Sequence, residues 1–554
     1  MNKFLIVSTV LAIGTLSFSC KHPTSACCQI ATGNELAALE NPQATTVYGI
    51  VEGYSESGVA TFKGIPYAAA PVGQLRWKAP QPVEPWNGVR EAKQYGANPM
   101  QKPVWGDMGF QTDEMSEDCL YLNIWTPAKS KDAKLPVFIF INGGGLYAGS
   151  GSEPRYGNVS FARNGIVTIT FNYREDIFGF FAHPELTAES GYNGSGNYGF
   201  LDQVAMLQWV KDNIAAFGGD PDNITIMGES AGSYSVSVLM ASPLSKRNIA
   251  KAMGSSGSLM AERWRTQDEA DALGLEMQAK IGASNLVELR AMSAEELLAK
   301  ANITDVPVYN IDNYLMPEQP ADIYRDGRQA QVPCLIGNNS GEMVPMMVCG
   351  GNISLQGMRD GIKAWTGADD ADVEKLLQYY RIENDADVMQ LPGYACAGDK
   401  FIVYTTWKWT DVQQSTSSQP VFRYRFCKIH PGLVSQNMEA GLAGGTKEKS
   451  ADEPATPLKP GAFHAEDIEY SMGTIPSSPA YAWTAEDFAV SEVFESFFVN
   501  FIKTGNPNGL GVPRWDPING EEVPPVMCID VNSGQERDAS MQARYRLLDK
   551  YLAK

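Results

Sequence analysis

The sequence predicts an α/β fold, a central and mostly parallel sheet flanked by helices. Three observations predict it. Residues 136–141 (PVFIFI) and 166–173 (IVTITFNY) are short, nearly continuous apolar runs, as expected of strands buried on both faces. From residue 196 onward, helix-like and strand-like stretches alternate, which calls for parallel strands joined by crossovers. Between one such strand (223–227, NITIM) and the next helix (234–240) sits Gly228-Glu229-Ser230-Ala231-Gly232. This Gly-x-Ser-x-Gly spacing suits a sharp strand-to-helix turn, because small residues two places either side leave room for a strained serine.

With 554 residues, 44% of them hydrophobic, the chain can bury a large core. A net charge of −20 argues against a sequence-independent nucleic-acid binder. Residues 1–19 have the form of an export signal, with Lys3 before an apolar run (4–16) too short to span a membrane as a helix. Ser17-Phe18-Ser19-Cys20 ends it. The cysteine after a small residue resembles a bacterial lipoprotein cleavage site, which would leave Cys20 lipidated at the new N-terminus. Ser17 and Ser19 also fit ordinary signal-peptidase cleavage. Either route implies an exported protein of the periplasm or cell envelope, the first with membrane attachment through an N-terminal lipid. Eight cysteines remain beyond Cys20, with no metal-ligand spacing among them and no connectivity that spacing alone reveals. Residues 20–46 are expected to form a tether and 47–554 a single domain. The sequence does not fix an oligomeric state.

In chain order, 47–51 and 59–62 are expected strands around a polar turn, followed by a Gly/Pro-rich loop (64–73). The buried run 136–141 leads into Asn142-Gly143-Gly144-Gly145, whose glycines leave backbone N–H groups open to a ligand. A helix is expected over 204–216 and a return loop over 217–223. Residues 266–301 are expected to be largely helical, 331–336 a strand, 368–377 and 400–413 helices, 419–428 a strand, 431–461 a long loop and 491–502 a helix.

A serine nucleophile needs a base, an acid orienting that base, and donors for the oxyanion. The chain has four histidines. His22 lies in the tether, His183 precedes the serine and suits a capping role, and His430 ends a strand. His464 ranks first. Glu342 follows a buried strand and a Gly/Asn turn, at a carboxyl end of the sheet where ligands gather. Asp467 is the alternative acid.

Residues 64–89 (GIPYAAAPVGQLRWKAPQPVEPWNGV), 117–125 (EDCLYLNIW) and 196–233 resemble the type-B carboxylesterases, the group that includes the cholinesterases. The resemblance implies an α/β-hydrolase fold and ester hydrolysis through an acyl-enzyme. It implies Ser230 as nucleophile, His464 as base and Glu342 as acid. The N–H groups of Gly144, Gly145 and Ala231 would form the oxyanion hole, and Glu229, Ser256 and Asp467 a supporting network. Neither metal nor cofactor is expected, and the substrate is a small-molecule or carbohydrate ester. Two other readings stay open: an esterase specific for acetylated or feruloylated carbohydrates, and a catalytically silent binding protein of the same fold. The chain departs from the family pattern in several places. Gly341 and Met343 flank Glu342 where Asp and Gly are usual. Asn142 replaces a histidine or aromatic residue, and Glu175-Asp176 replaces Leu-Gly. No cysteine lies between Cys28 and Cys119. Gly109 stands where cholinesterases carry a choline-binding tryptophan, which disfavours choline esters.

Overall fold

The computed structural model describes residues 39–553, apart from 158, 261, 303–308 and 450–458. The expected export signal and Cys20 lie outside the described residues. Eleven strands form the main sheet: β1 (Tyr54–Glu56), β2 (Val59–Pro66), β3 (Tyr121–Thr126), β4 (Leu135–Ile141), β5 (Val167–Phe171), β6 (Gly219–Glu229), β7 (Lys251–Ser255), β8 (Cys334–Asn339), β9 (Val421–Phe426), β10 (Val526–Ile529) and β11 (Gly534–Glu536). Their spatial order is β11-β10-β9-β8-β7-β6-β4-β5-β3-β2-β1. The run from β5 through β4 and β6 to β10 is parallel. Antiparallel strands close both edges.

The apolar runs are buried on both faces. Along β4, Val137, Ile139 and Ile141 join one core, and Phe138 and Phe140 join the other. On the first face lie helices α1 (Tyr198–Asn213) and α2 (Ala231–Ala241), contributing Leu207, Val236 and Val238. On the second lies α5 (Ala485–Thr504), whose Phe494, Phe497, Phe498 and Phe501 pack with Met227, Met253 and Leu335. Two further helices cover β8 to β10: α4 (Tyr404–Thr416) and α6 (Ala539–Leu552).

Several boundaries differ from expectation. Residues 20–38 of the expected tether lie outside the described residues, and its last part is strand, because Gln43–Thr45 pairs with Ile50–Glu52. Helix α1 starts at Tyr198 rather than 204, since Tyr198, Phe200 and Leu201 are themselves buried. The return loop contributes to β6, which begins at Gly219 and shifts register against β4 before Ile224. Residues 266–301 break into three helices, α3 (Gln267–Ile281) and the shorter Leu286–Ala291 and Ala294–Lys300, each with its own N-cap: Thr266, Asn285 and Ser293. Helix α5 begins earlier than 491, at a Thr484–Asp487 capping box. The expected loop over 431–461 contains a small hairpin, Met438–Ala440 against Thr446–Glu448. Cys334 is a buried thiol. The Cys427 and Cys528 sulfurs lie 3.0 Å apart beyond β9 and within β10.

Phe498 is fully buried on α5, against Phe494 and Tyr424, whereas Phe488 on the same helix is 48% exposed. Truncating the first leaves a cavity. Phe498→Ala should therefore lose about 3–5 kcal/mol in denaturant unfolding, and Phe488→Ala no more than about 0.5 kcal/mol. Equal losses would contradict this packing.

Candidate active site

β4 and β6 are parallel neighbours, so their carboxyl ends meet. The strand order also reverses there, since β5 lies on one side of β4 and β6 on the other. Ligands favour such switch points. β6 delivers Ser230, and β4 delivers the glycine loop.

Ser230 stands between β6 and α2 with φ 56° and ψ −123°. Only close packing permits this turn. A Cβ on Gly232 would lie 2.0 Å from the carbonyl oxygen of Ile141, so only glycine lets α2 press onto the end of β4. The Ser230 N–H donates to the Ser255 carbonyl at 2.9 Å, which ties the turn to β7.

His464 Nε2 is 2.9 Å from Ser230 Oγ, and its Nδ1 is 2.7 Å from Glu342 Oε2. The Phe401 ring meets the imidazole edge to face at 5.0 Å. Glu342 is fully buried. Its Oε1 accepts from the Asn339 backbone N–H and the Ser256 hydroxyl, both at 2.6 Å. Asp467 faces elsewhere: it accepts from Ser255 Oγ (2.5 Å), Asn339 Nδ2 (3.2 Å) and Tyr424 Oη (3.3 Å). Glu342, and not Asp467, is the carboxylate hydrogen-bonded to His464. Asp467 instead braces the ends of β7, β8 and β9. Ser255, which sequence reasoning passed over, is its partner.

Glu229 Oε1 lies 3.4 Å from His464 Nε2 and has no hydrogen-bond partner among the described residues. Burial pushes this carboxyl up to about 8, with Asp467 and Glu342 adding to the shift and His464 opposing it. Burial works against a charged imidazole, but Glu229, Glu342 and Asp467 outweigh it and push His464 up to about 9. The two shifts compete, because a protonated Glu229 lends His464 no charge. The upward direction survives for His464 because Glu342 bonds it directly.

Gly144, Gly145 and Ala231 line the same cavity as Ser230 and His464, which measures about 550 Å³. A Cβ on Gly144, at φ 103°, would fall 1.8 Å from the Ala148 carbonyl. The loop is tied down at several points. Trp105 Nε1 donates to the Gly144 carbonyl (3.0 Å), and Tyr173 Oη donates to the Asn142 carbonyl (3.0 Å). Asn142 Nδ2 donates to Glu175 Oε1 at 3.1 Å, so two departures from the family pattern touch each other.

His183 and His430 hold structural positions. His183 Nδ1 accepts from the Glu185 N–H and caps Pro184–Glu189. His430 sits among Tyr470, Tyr481 and Trp483, with Nε2 2.8 Å from the Glu466 carbonyl. His22 lies outside the described residues.

Residues 40–547 match the carboxylesterase family. The chain is 32% identical over 526 residues to the para-nitrobenzyl esterase of Bacillus subtilis, across 91% of this chain and 98% of that enzyme. It is 40% identical over 307 residues to the fumonisin B1 esterase of Sphingopyxis macrogoltabida, across 54% of this chain and 55% of that one. A solved PNB esterase superposes with a TM-score of 0.75 at 30% identity, covering 91% of this chain and 99% of its own. A Geobacillus stearothermophilus carboxylesterase does so with a TM-score of 0.74 at 31% identity, with the same coverage. The chain therefore belongs to the carboxylesterase family, has its α/β-hydrolase fold, and is a carboxylic ester hydrolase.

Proposed function

We propose that the chain hydrolyses small-molecule carboxylic esters through a Ser230–His464–Glu342 triad and an acyl-enzyme. The observation that carries this reading is the unbroken chain of short contacts from Ser230 Oγ to His464 to Glu342, at 2.9 and 2.7 Å, on the wall of a cavity large enough for substrate. Ser230 Oγ attacks the ester carbonyl as His464 Nε2 takes its proton. The same nitrogen then protonates the leaving alcohol. Water, deprotonated by His464, releases the acid. Glu342 holds the imidazole orientation and stabilises its charged form. The N–H groups of Gly144, Gly145 and Ala231 serve the oxyanion, where one such donor is typically worth about 10²–10³ in rate.

The cavity wall includes Trp105, Tyr147, Tyr309 and Phe401. Flat rings stack well on such surfaces. Aromatic acyl groups and ring-shaped alcohols fit this wall. An acylated-carbohydrate ester is the second reading, favoured by the polar pair of Glu262 with the Tyr309 hydroxyl at 2.7 Å.

Ser230→Ala should abolish labelling by a fluorophosphonate probe. Glu342→Gln should lower nitrophenyl ester turnover by about 10⁴-fold, well beyond the loss from Asp467→Asn. Labelling that survives, or the reverse order of the two acid variants, would dismiss these assignments. A panel of nitrophenyl esters of rising chain length, set beside acetylated and feruloylated sugars, should show the highest kcat/KM on a ring-bearing ester; a preference for long straight chains would contradict the aromatic wall.

The pH dependence follows from the upward shift of His464. Its proton is held to a higher pH than in an ordinary histidine, so the base form is lost sooner as pH falls. The acidic limb of kcat/KM should lie above 6.5, towards 9. Glu229→Gln removes a neighbouring carboxyl and should move that limb to lower pH; a limb unmoved by the substitution would show that Glu342 and Asp467 set it without Glu229.

A further inference from the structure

A second cavity, of about 270 Å³, lies behind the triad acid. Glu342 lines it but does not line the catalytic cavity, whereas Ser230 and His464 line the catalytic cavity alone. Its wall carries three arginines. Arg423 and Arg425 are two residues apart on β9 and so share one face of the strand, and Arg544 comes from α6.

Two of the three are neutralised. Arg544 Nε lies 2.8 Å from Asp399 Oδ2. Arg425 reaches Glu536 at 2.7 Å, at the half-buried rim. Arg423 differs. It is only 2% exposed and makes no ion pair among the described residues; its Nε, like those of Arg425 and Arg544, has no hydrogen-bond partner there. Its guanidinium packs 5.1 Å from the Tyr545 ring centre, and Arg544 lies 4.8 Å from the same ring.

The carboxylates on the wall are already occupied. Glu342 serves Ser256, Asn339 and His464. Asp399 pairs with Arg544 and accepts from the Tyr380 hydroxyl; its charge also reaches Arg423, but without an ion pair. Asp530, at the rim, accepts from the Val531 N–H. A guanidinium does not shed its charge inside a protein, so burying one without a counter-ion is costly. Burial accordingly pushes Arg423 below the usual arginine value; Tyr545 opposes the shift, and repulsion from Arg425 and Arg544 adds to it. The cavity beside it has room for the missing charge.

We infer that this cavity is an oxyanion-binding site in which the Arg423 guanidinium takes a phosphate or carboxylate group, flanked by Arg544 and Arg425. The planar fork of arginine matches both anions in a bidentate way. The site is separate from the ester-cleaving cavity, and the inference does not rest on the triad.

Calorimetric titration of the mature protein with inorganic phosphate, and separately with acetate, tests it against chloride at matched ionic strength. One phosphate or acetate should bind per chain, the better of the two naming the source. Binding should weaken by at least about tenfold in Arg423→Leu and also in Arg423→Lys, which keeps the charge but loses the fork. The lysine variant decides the matter if the leucine variant fails to fold. The anion should leave KM for a nitrophenyl ester unchanged. No binding of either anion by the wild type, binding unaltered in the variants, or inhibition competitive with ester would each overturn the proposal.

Discussion

The geometry of the active site depends on one strained residue. Ser230 holds φ 56°, a region that costs a serine about 1–3 kcal/mol. The turn persists because its surroundings leave no alternative. Gly228 and Gly232 pack directly on each other, Gly232 presses against the end of β4, and the Ser230 N–H is bound to β7. Two other strained residues stand close by in function. Ser256, at φ 55°, turns out of β7 and donates to Glu342, while its own N–H is held by the Gly337 carbonyl on β8. Ala465, at φ 61°, directly follows His464. Strain therefore sits at Ser230 itself, at a hydrogen-bond partner of Glu342 and at the chain neighbour of His464. The sheet, with its aromatic core on the α5 face, supplies the rigidity that holds all three.

Around the imidazole, three buried carboxyl groups are kept distinct by their partners. Glu342 accepts from two donors besides His464 and is committed to orientation. Asp467 is consumed by Ser255, Asn339 and Tyr424 and serves the scaffold. Of the three, Glu229 alone has an oxygen without a hydrogen-bond partner among the described residues, and it faces His464 Nε2, the nitrogen that contacts Ser230 Oγ. Like charges so close cannot all ionise freely. The division of labour comes from hydrogen-bond supply, since all three groups are almost fully buried.

Much of this was legible in the sequence. Apolar runs over 136–141 and 166–173 gave away β4 and β5, because strands buried on both faces leave no polar alternation. The Gly-x-Ser-x-Gly turn was legible because close packing demands glycine. Glu342 was legible from its place after a buried strand. Helix ends were less so. The Tyr198 turn of α1 lies where tertiary burial, not periodicity, extends the helix, while α5 starts on a largely exposed turn fixed by the Thr484–Asp487 capping box. Ser255 escaped notice because a serine closing a strand has no local signal; its role appears only when β7, β8 and β9 come together at Asp467. Arg423 likewise looks like an ordinary alternating strand residue until the fold surrounds it.

Departures from a family pattern are often read as loosened constraints, but here two of them compensate each other. Asn142 and Glu175 lie far apart in sequence, one before the glycine loop and one after β5. In the fold Asn142 Nδ2 bridges the Gly143 carbonyl (3.1 Å) and Glu175 Oε1 (3.1 Å). Glu175 is completely buried, and burial drives its carboxyl well above the usual range. A neutral carboxyl can accept from Asn142 without placing a negative charge beside the glycine loop proposed to receive the oxyanion, whereas a charged one would oppose charge developing there at short range. The asparagine thus takes its partner from the segment that follows β5, and burial disfavours the charged form of that partner.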